Sequence, residues 1–236
     1  MRKILILGCS HSLGSFKPSG TNEEYLAHEY GWWSFVDSIQ DDKKIIFAGA
    51  GLSWMFWSYL IYSKFVNIND YDFCIIQDTA NGRMSLLDVN WKNKLKIKSL
   101  SKNIEWHGLL HPSESNIIIN NANAMINIIR KFSLTKKLET LYKFCEAIIN
   151  SPTNDLAYIT HRNWLLEKFQ QQKIPVFIFN MEQDNIDSIP YGQKLGCNGF
   201  IYRLRQYRTF HSGHFTEIGN QKVGNAVNKE LSNYVN

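Results

Sequence analysis

The stretch KILILGCSHSLG, Lys3–Gly14, decides the fold. KILIL (3–7) is a short apolar run that reads as a buried strand. Gly8 then lets the backbone bend sharply, and Ser10 falls at the C-terminal end of that strand, where open α/β sheets place ligands. Four further runs read the same way: KIIFA (44–48), DFCIIQ (72–77), PVFIFN (175–180) and, more weakly patterned, GFIYRL (199–204). Helical patterns separate them. Trp32, Trp33, Phe35, Val36 and Ile39 predict one apolar face. Phe56, Trp57, Leu60 and Ile61 predict another, with Ser53 as its cap. Strands alternating with helices predict a doubly wound α/β sandwich around a mostly parallel five-stranded sheet, in a single domain over 1–236.

The stretch from about 83 to 155 interrupts this rhythm and is too long for one crossover. AMINIIRKF and KLETLYKFCEAII read as amphipathic helices, so 83–155 is expected to be a helical insertion or lid that ends at Pro152. Helix 161–172 then leads into strand 175–180. At the other end of the chain, Thr216 is placed to cap a last helix. Its Val223, Val227, Leu231 and Tyr234 share the face expected to pack on the sheet.

Composition sets the class. With 44% hydrophobic and 20% charged residues the chain can bury a core without staples. A net charge of +5 does not by itself suggest a nucleic-acid partner, and the lysines of 92–102 read as a solvated surface. The four cysteines, Cys9, Cys74, Cys145 and Cys197, form no CxxC pair and read as reduced thiols of a cytoplasmic protein. The N-terminal MRKILILGCS has the outline of a lipoprotein leader. Its apolar part spans only Ile4–Leu7, against the roughly 7–15 residues such a segment needs. No run approaches the ~18 apolar residues of a membrane span, so no membrane partner is expected.

Two segments at opposite ends of the chain read as halves of one site. A serine needs a base within hydrogen-bond reach to act as a nucleophile at neutral pH. HSGHFTEIGNQKVG (211–224) supplies His214 just before the last helix. The other strand ends add donors. FAGAGLSW (47–54) brings Gly49 and Gly51, whose backbone N–H groups can point into the site, and QDTANGR (77–83) brings the amide of Asn81. Donors aimed at a tetrahedral oxyanion contribute strongly to ester chemistry. The glycine-rich turn at 8–14 could instead cradle a phosphate, but neither GK[ST] nor GxGxxG is present.

In order and spacing, Gly8-Cys9-Ser10 with Gly14, Gly51 in GAGLSW, Asn81 in TANG and His214 in HSGHFTEIG resemble the conserved blocks of the SGNH/GDSL hydrolase family. Gly219 matches the family's His-x-x-x-x-Gly pattern. The resemblance implies a flavodoxin-like three-layer α/β/α sandwich, Ser10 as nucleophile and His214 as general base. It also implies an oxyanion hole built from the Ser10 and Gly51 N–H groups and the Asn81 side chain. Gly49 is a rival to Gly51. The family's GDS is GCS here, its Gly-x-Asn-Asp is Thr79-Ala80-Asn81-Gly82, and the aspartate that orients the histidine is His211. Glu217, Asp184 and Asp187 are the acids that could take over. PTND (152–155) also resembles the third block's ending, but it follows a helix.

Two other clusters carry candidate ligands. His107 and His111 in WHGLLHPSES have i, i+4 spacing that suits a metal on a helix. Gly108 and Pro112 break such a helix and no third ligand is evident, so the segment reads as a loop or substrate-facing lid and no metal is expected. Arg203 and Arg205, with Arg208 nearby, would share a face if 199–204 were a strand, and could hold the carboxylates of an acidic glycan. The expected activity is hydrolysis of O-acyl esters, acetyl above all, on a small molecule or a glycan, with no cofactor. The alternatives are an O-acyltransferase of the same fold, a catalytically degenerate glycan-binding or assembly module, and a flavodoxin-like nucleotide binder.

Overall fold

The computed structural model describes residues 1–18, 24–49, 52–78, 96–109, 147, 152–181, 189–209 and 214–235. Among them lies a seven-stranded, mostly parallel sheet. In chain order its strands are β1 (Lys3–Gly8), β4 (Lys43–Gly49), β5 (Phe73–Asp78), β6 (Lys96–Ser101), β7 (Ile104–Leu109), β8 (Val176–Asn180) and β9 (Gln193–Lys194). Between β1 and β4, the strands β2 (Ser15–Pro18) and β3 (Glu24–Ala27) form a separate antiparallel pair. The order across the large sheet is β6-β7-β4-β1-β5-β8-β9, and only β6 runs antiparallel to its neighbour. The chain leaves β1 toward β4 on one side and crosses to β5 on the other. Such a reversal opens a crevice beyond the C-terminal strand ends.

The strands are apolar on both faces because both faces are covered. Leu5, Leu7, Ile45, Phe47, Cys74, Ile76, Val176 and Ile178 face one core. Trp54, Phe56, Trp57 and Leu60 of α1 (Trp54–Tyr62) close it, together with Leu165, Leu166 and Phe169 of α2 (Pro152–Gln171). Ser58 donates to the His161 carbonyl at 3.0 Å and joins the two helices. The alternate residues Ile4, Ile6, Ile46, Ala48, Phe73, Ile75, Phe177 and Phe179 face the other core. It is covered by Trp32, Trp33, Val36 and Ile39 and by Val223, Val227 and Leu231 of α4 (Glu217–Val235). Burial of those three α4 side chains contributes about 2 kcal/mol each.

Several expectations are corrected. Residues 96–109, placed in a helical insertion, are the two strands β6 and β7. They extend the sheet beyond β4, with Trp106 fully buried. AMINIIRKF and KLETLYKFCEAII lie outside the described residues except for residue 147. α2 begins at Pro152, well before residue 161, and at that first helical position a proline's missing N–H is no loss. The pattern at 32–39 is not one helix but two 3-10 turns, Trp32–Phe35 and Asp37–Ile39, broken at Val36. GFIYRL is not the fifth strand. Phe200, Ile201 and Leu204 pack on one core with helical spacing, and Phe200–Arg203 is a short helix, α3. The sheet position beside β8 goes to Gln193–Lys194. Tyr234 is half exposed, not buried with Val223, Val227 and Leu231.

The N-terminal edge of the sheet is tied electrostatically. Arg2 binds Asp42 through its backbone N–H and its guanidinium, and also donates to the carbonyls of Ser38 and Val235, the last residue of α4. Lys44 beside it is buried and gives its ammonium to the carbonyls of Gln40, at 2.9 Å, and Asp42. Burial lowers it to about 8, while Asp42 and then Asp41 pull it upward. Between pH 8 and 10.5 the unfolded chain holds a proton on Lys44 that the folded chain has lost, so this group makes stability rise with pH. Above pH 9 two buried thiols oppose it. Burial raises Cys74 well above 9.0 and Cys197 to about 12, so the folded chain keeps protons that the unfolded chain releases. His107 and His161, both lowered by burial, make stability rise as pH climbs toward 6.5. The urea midpoint is therefore expected to climb from pH 8 to about 9 and fall beyond. In Lys44→Met the climb should be absent.

Candidate active site

β1 ends at Gly8, and the chain turns at once into the 3-10 turn Ser10–Ser12. The turn is closed by Ser12 N–H to the Cys9 carbonyl at 2.9 Å and Leu13 N–H to the Ser10 carbonyl at 3.2 Å. A side chain at Gly8 would run into the Ser12 hydroxyl, so this close approach requires glycine. Ser10, His11 and Ser12 are all buried.

A fully buried glutamine organises the turn. Gln77, next to the end of β5, accepts at Oε1 from the Cys9 N–H at 3.1 Å, the Cys9 thiol at 3.2 Å and the Ser12 hydroxyl at 3.0 Å. The backbone N–H of Cys9 fixes which way the amide faces, and the Gln77 Nε2 donates to the Asp78 carbonyl at 2.9 Å. Two indoles complete the arrangement. Trp32 donates to the Ser12 hydroxyl at 2.8 Å and Trp33 to the Ser12 carbonyl at 3.1 Å. Both tryptophans are buried, with their indole N–H groups paired.

Asp78, the last residue of β5, is 1% exposed. Its carboxylate accepts from the Trp54 indole at 2.6 Å, from the Tyr158 hydroxyl at 3.1 Å to each oxygen, and from the Asn180 amide at 3.3 Å. Burial first, and then the charge of Asp78, raise the Tyr158 phenol above its ordinary value. The buried Arg162 guanidinium sits 5.5 Å from the Tyr158 ring centre. Asp78 thus ties the C-terminal ends of β5 and β8 to α1 and α2.

From the far end of the chain, His214 is carried by a short antiparallel pairing. Arg208 bridges Phe215, and the Thr209 N–H bonds the His214 carbonyl at 2.8 Å. Thr216 donates from both its N–H and its hydroxyl to the Tyr207 carbonyl, and accepts from the Gly219 N–H at 3.4 Å as the cap of α4. A Cβ at Gly219 would come within 2.9 Å of the Tyr207 carbonyl, which is the physical reason for the glycine five residues after His214. The half-buried ring of His214 lies 4.9 Å from the ring of His11, tilted by 47°, and His11 also contacts Phe215 at 5.6 Å. The turn holding Ser10 and the segment holding His214 therefore meet through His11.

Gly51, Asn81, His211, Asp184 and Asp187 lie outside the described residues, as does His111. Gly49 ends β4. Glu217 opens α4 and is half-buried. Arg203 ends α3 and Arg205 opens the next 3-10 turn, both exposed, so they are not alternate residues of one strand and that basis for a paired carboxylate clamp is gone. His107 is on strand β7, not a helix. It stacks on Phe47 at 4.7 Å and pairs with Glu105 at 2.6 Å, and burial outweighs that acid and lowers its pKa. Among the described residues no cluster of His, Cys, Asp and Glu could hold a metal, and no helix is long and apolar enough to cross a membrane.

Sequence reasoning missed His11, Gln77, Asp78 and Asn220. The signal for two of them was present: Gln77-Asp78 is a polar pair closing an otherwise apolar strand. Fold and site together define a mixed α/β protein whose two chain ends meet at a buried serine-histidine turn. No family model matches the chain, and no curated protein matches it either.

Proposed function

We propose that the protein is a serine esterase of the SGNH type acting on O-acyl esters, acetyl esters of a small molecule or glycan being the substrate class. The observation that carries this reading is the 4.9 Å contact between the rings of His11 and His214. It brings the residue next to Ser10 against the proposed base, across more than two hundred residues of chain. The strand order β4-β1-β5-β8-β9 supports it, being the 2-1-3-4-5 order of flavodoxin-like sheets with the β6-β7 hairpin added at the β4 edge.

In the proposed reaction His214 takes the Ser10 proton as Oγ attacks the ester carbonyl. The oxyanion rests on the N–H groups of Ser10 and Gly51 and on the Asn81 amide. His214 gives the proton to the departing alcohol, then takes one from the water that releases the acyl group. A sugar hydroxyl in place of that water makes the same protein an O-acyltransferase.

The test is covalent labelling by a fluorophosphonate at neutral pH. Wild type is expected to label stoichiometrically and Ser10→Ala not at all. In His214→Ala the rate should fall by about 10³-fold or more. Folded wild type that stays unlabelled, or labelling that survives Ser10→Ala, would sink the reading.

A further inference from the structure

The two halves of the site belong to elements that share no sheet hydrogen bond. Ser10 follows β1 at the centre of the sheet, and His214 precedes α4 on one of its faces. One buried side chain links them by hydrogen bonds. Asn220 is 0% exposed and stands one turn into α4, where its N–H bonds the Thr216 carbonyl at 2.9 Å. Its Nδ2 donates to the Gly14 carbonyl at 3.0 Å and to the Ser15 hydroxyl at 3.0 Å. Ser15 spends its own proton on the Tyr30 carbonyl, so toward Asn220 it can only accept. A carbonyl and an accepting hydroxyl both demand an N–H. The amide orientation is thereby determined, and no carboxylate of the same shape can replace it.

We infer that Asn220 is a positioning residue that holds the Ser10 turn against the His214 segment. The inference rests on the proposed esterase reading for its catalytic meaning. The clamp lies four residues after Ser10 on one side and six after His214 on the other, so slack in it displaces both reacting groups relative to each other. A misplacement of about 1 Å costs on the order of 10²-fold in reaction rate.

The experiment compares wild type, Asn220→Ala, Ser15→Ala and Val227→Ala. Val227 is a core residue of the same helix whose apolar side chain makes no hydrogen bond to the Ser10 turn, and it controls for simple loss of stability. Two quantities are read: the nuclear Overhauser effect between the His11 and His214 rings, and the fluorophosphonate labelling rate. Asn220→Ala should lose the ring effect and label about 10²-fold more slowly, whereas Val227→Ala keeps both. Ser15→Ala, which removes one of the two bonds, should fall between them and carries the test if Asn220→Ala does not fold. A ring effect in Asn220→Ala as strong as in Val227→Ala overturns the clamp. Labelling equal to Val227→Ala overturns its role in the site. Unlabelled wild type counts against the esterase reading alone, because the ring effect still decides the clamp.

Discussion

Asp78→Ala is expected to lower the free energy of unfolding by about 3–5 kcal/mol. Asp78 is 1% exposed, and the groups that donate to it are buried as well: Trp54 at 1%, Tyr158 at 8% and Asn180 at 0%. Truncation takes the acceptor from an indole N–H at 2.6 Å and a phenol at 3.1 Å, where water does not reach them. Each buried donor left unmet costs about 1–3 kcal/mol, more where the partner was charged. It also leaves the buried Arg162 in a site that has lost a negative charge. Asp78→Asn retains the shape. Its Oδ1 can still accept from Trp54 and its amide can donate to the Tyr158 oxygen, but that amide meets the Asn180 Nδ2, itself a donor, so the loss should be about 1–3 kcal/mol. Urea titrations with unchanged m-values would measure both. An alanine variant within 1 kcal/mol of wild type would mean that the network is not structural.

Cys9→Asp would spell the GDS of the SGNH family that this segment resembles, yet it is expected to destabilise the protein by about 3 kcal/mol or more. Cys9 is 1% exposed, and its thiol points at Gln77 Oε1, 3.2 Å away. That oxygen already accepts from the Cys9 N–H and the Ser12 hydroxyl. A carboxylate at position 9 would face a carbonyl oxygen with no donor, in a place where an uncompensated charge is costly. The glutamine cannot turn over to help it, because its Nε2 is engaged by the Asp78 carbonyl at 2.9 Å and the Cys9 N–H would lose its acceptor. Cys9→Ser keeps a donor and should cost no more than about 1 kcal/mol. Thermal and urea unfolding of the two variants decide the matter. A Cys9→Asp protein as stable as wild type would show that position 9 is free to vary.

The same residues show what could be read in advance. Four of the predicted strands lie where their apolar runs are, since a sheet covered on both faces buries every side chain of such a run. The last helix, its cap Thr216 and its buried Val223, Val227 and Leu231 follow from local spacing alone. GFIYRL misled because an apolar run of that length fits a helical turn as well as a strand. The outcome turned on Phe200, Ile201 and Leu204 finding a core and on Gln193–Lys194 occupying the strand position. The β6-β7 hairpin is hard to read in advance because its outer strand, KIKSLS, is two-thirds lysine and serine, the composition of a sheet edge and not of a core strand.

The sequence by itself determined the α/β class, the central strands and the two segments that carry the proposed nucleophile and base. These are properties of short runs, set by periodicity and by glycine, serine and threonine acting on their immediate neighbours. Only the tertiary structure decided which side chains bind those segments together. Gln77 reaches Cys9 and Ser12, Asp78 gathers Trp54, Tyr158 and Asn180, and Asn220 spans more than two hundred residues to Gly14. A buried polar group must find its partner wherever the chain has brought one within about 3 Å, and no local pattern records which residue that will be.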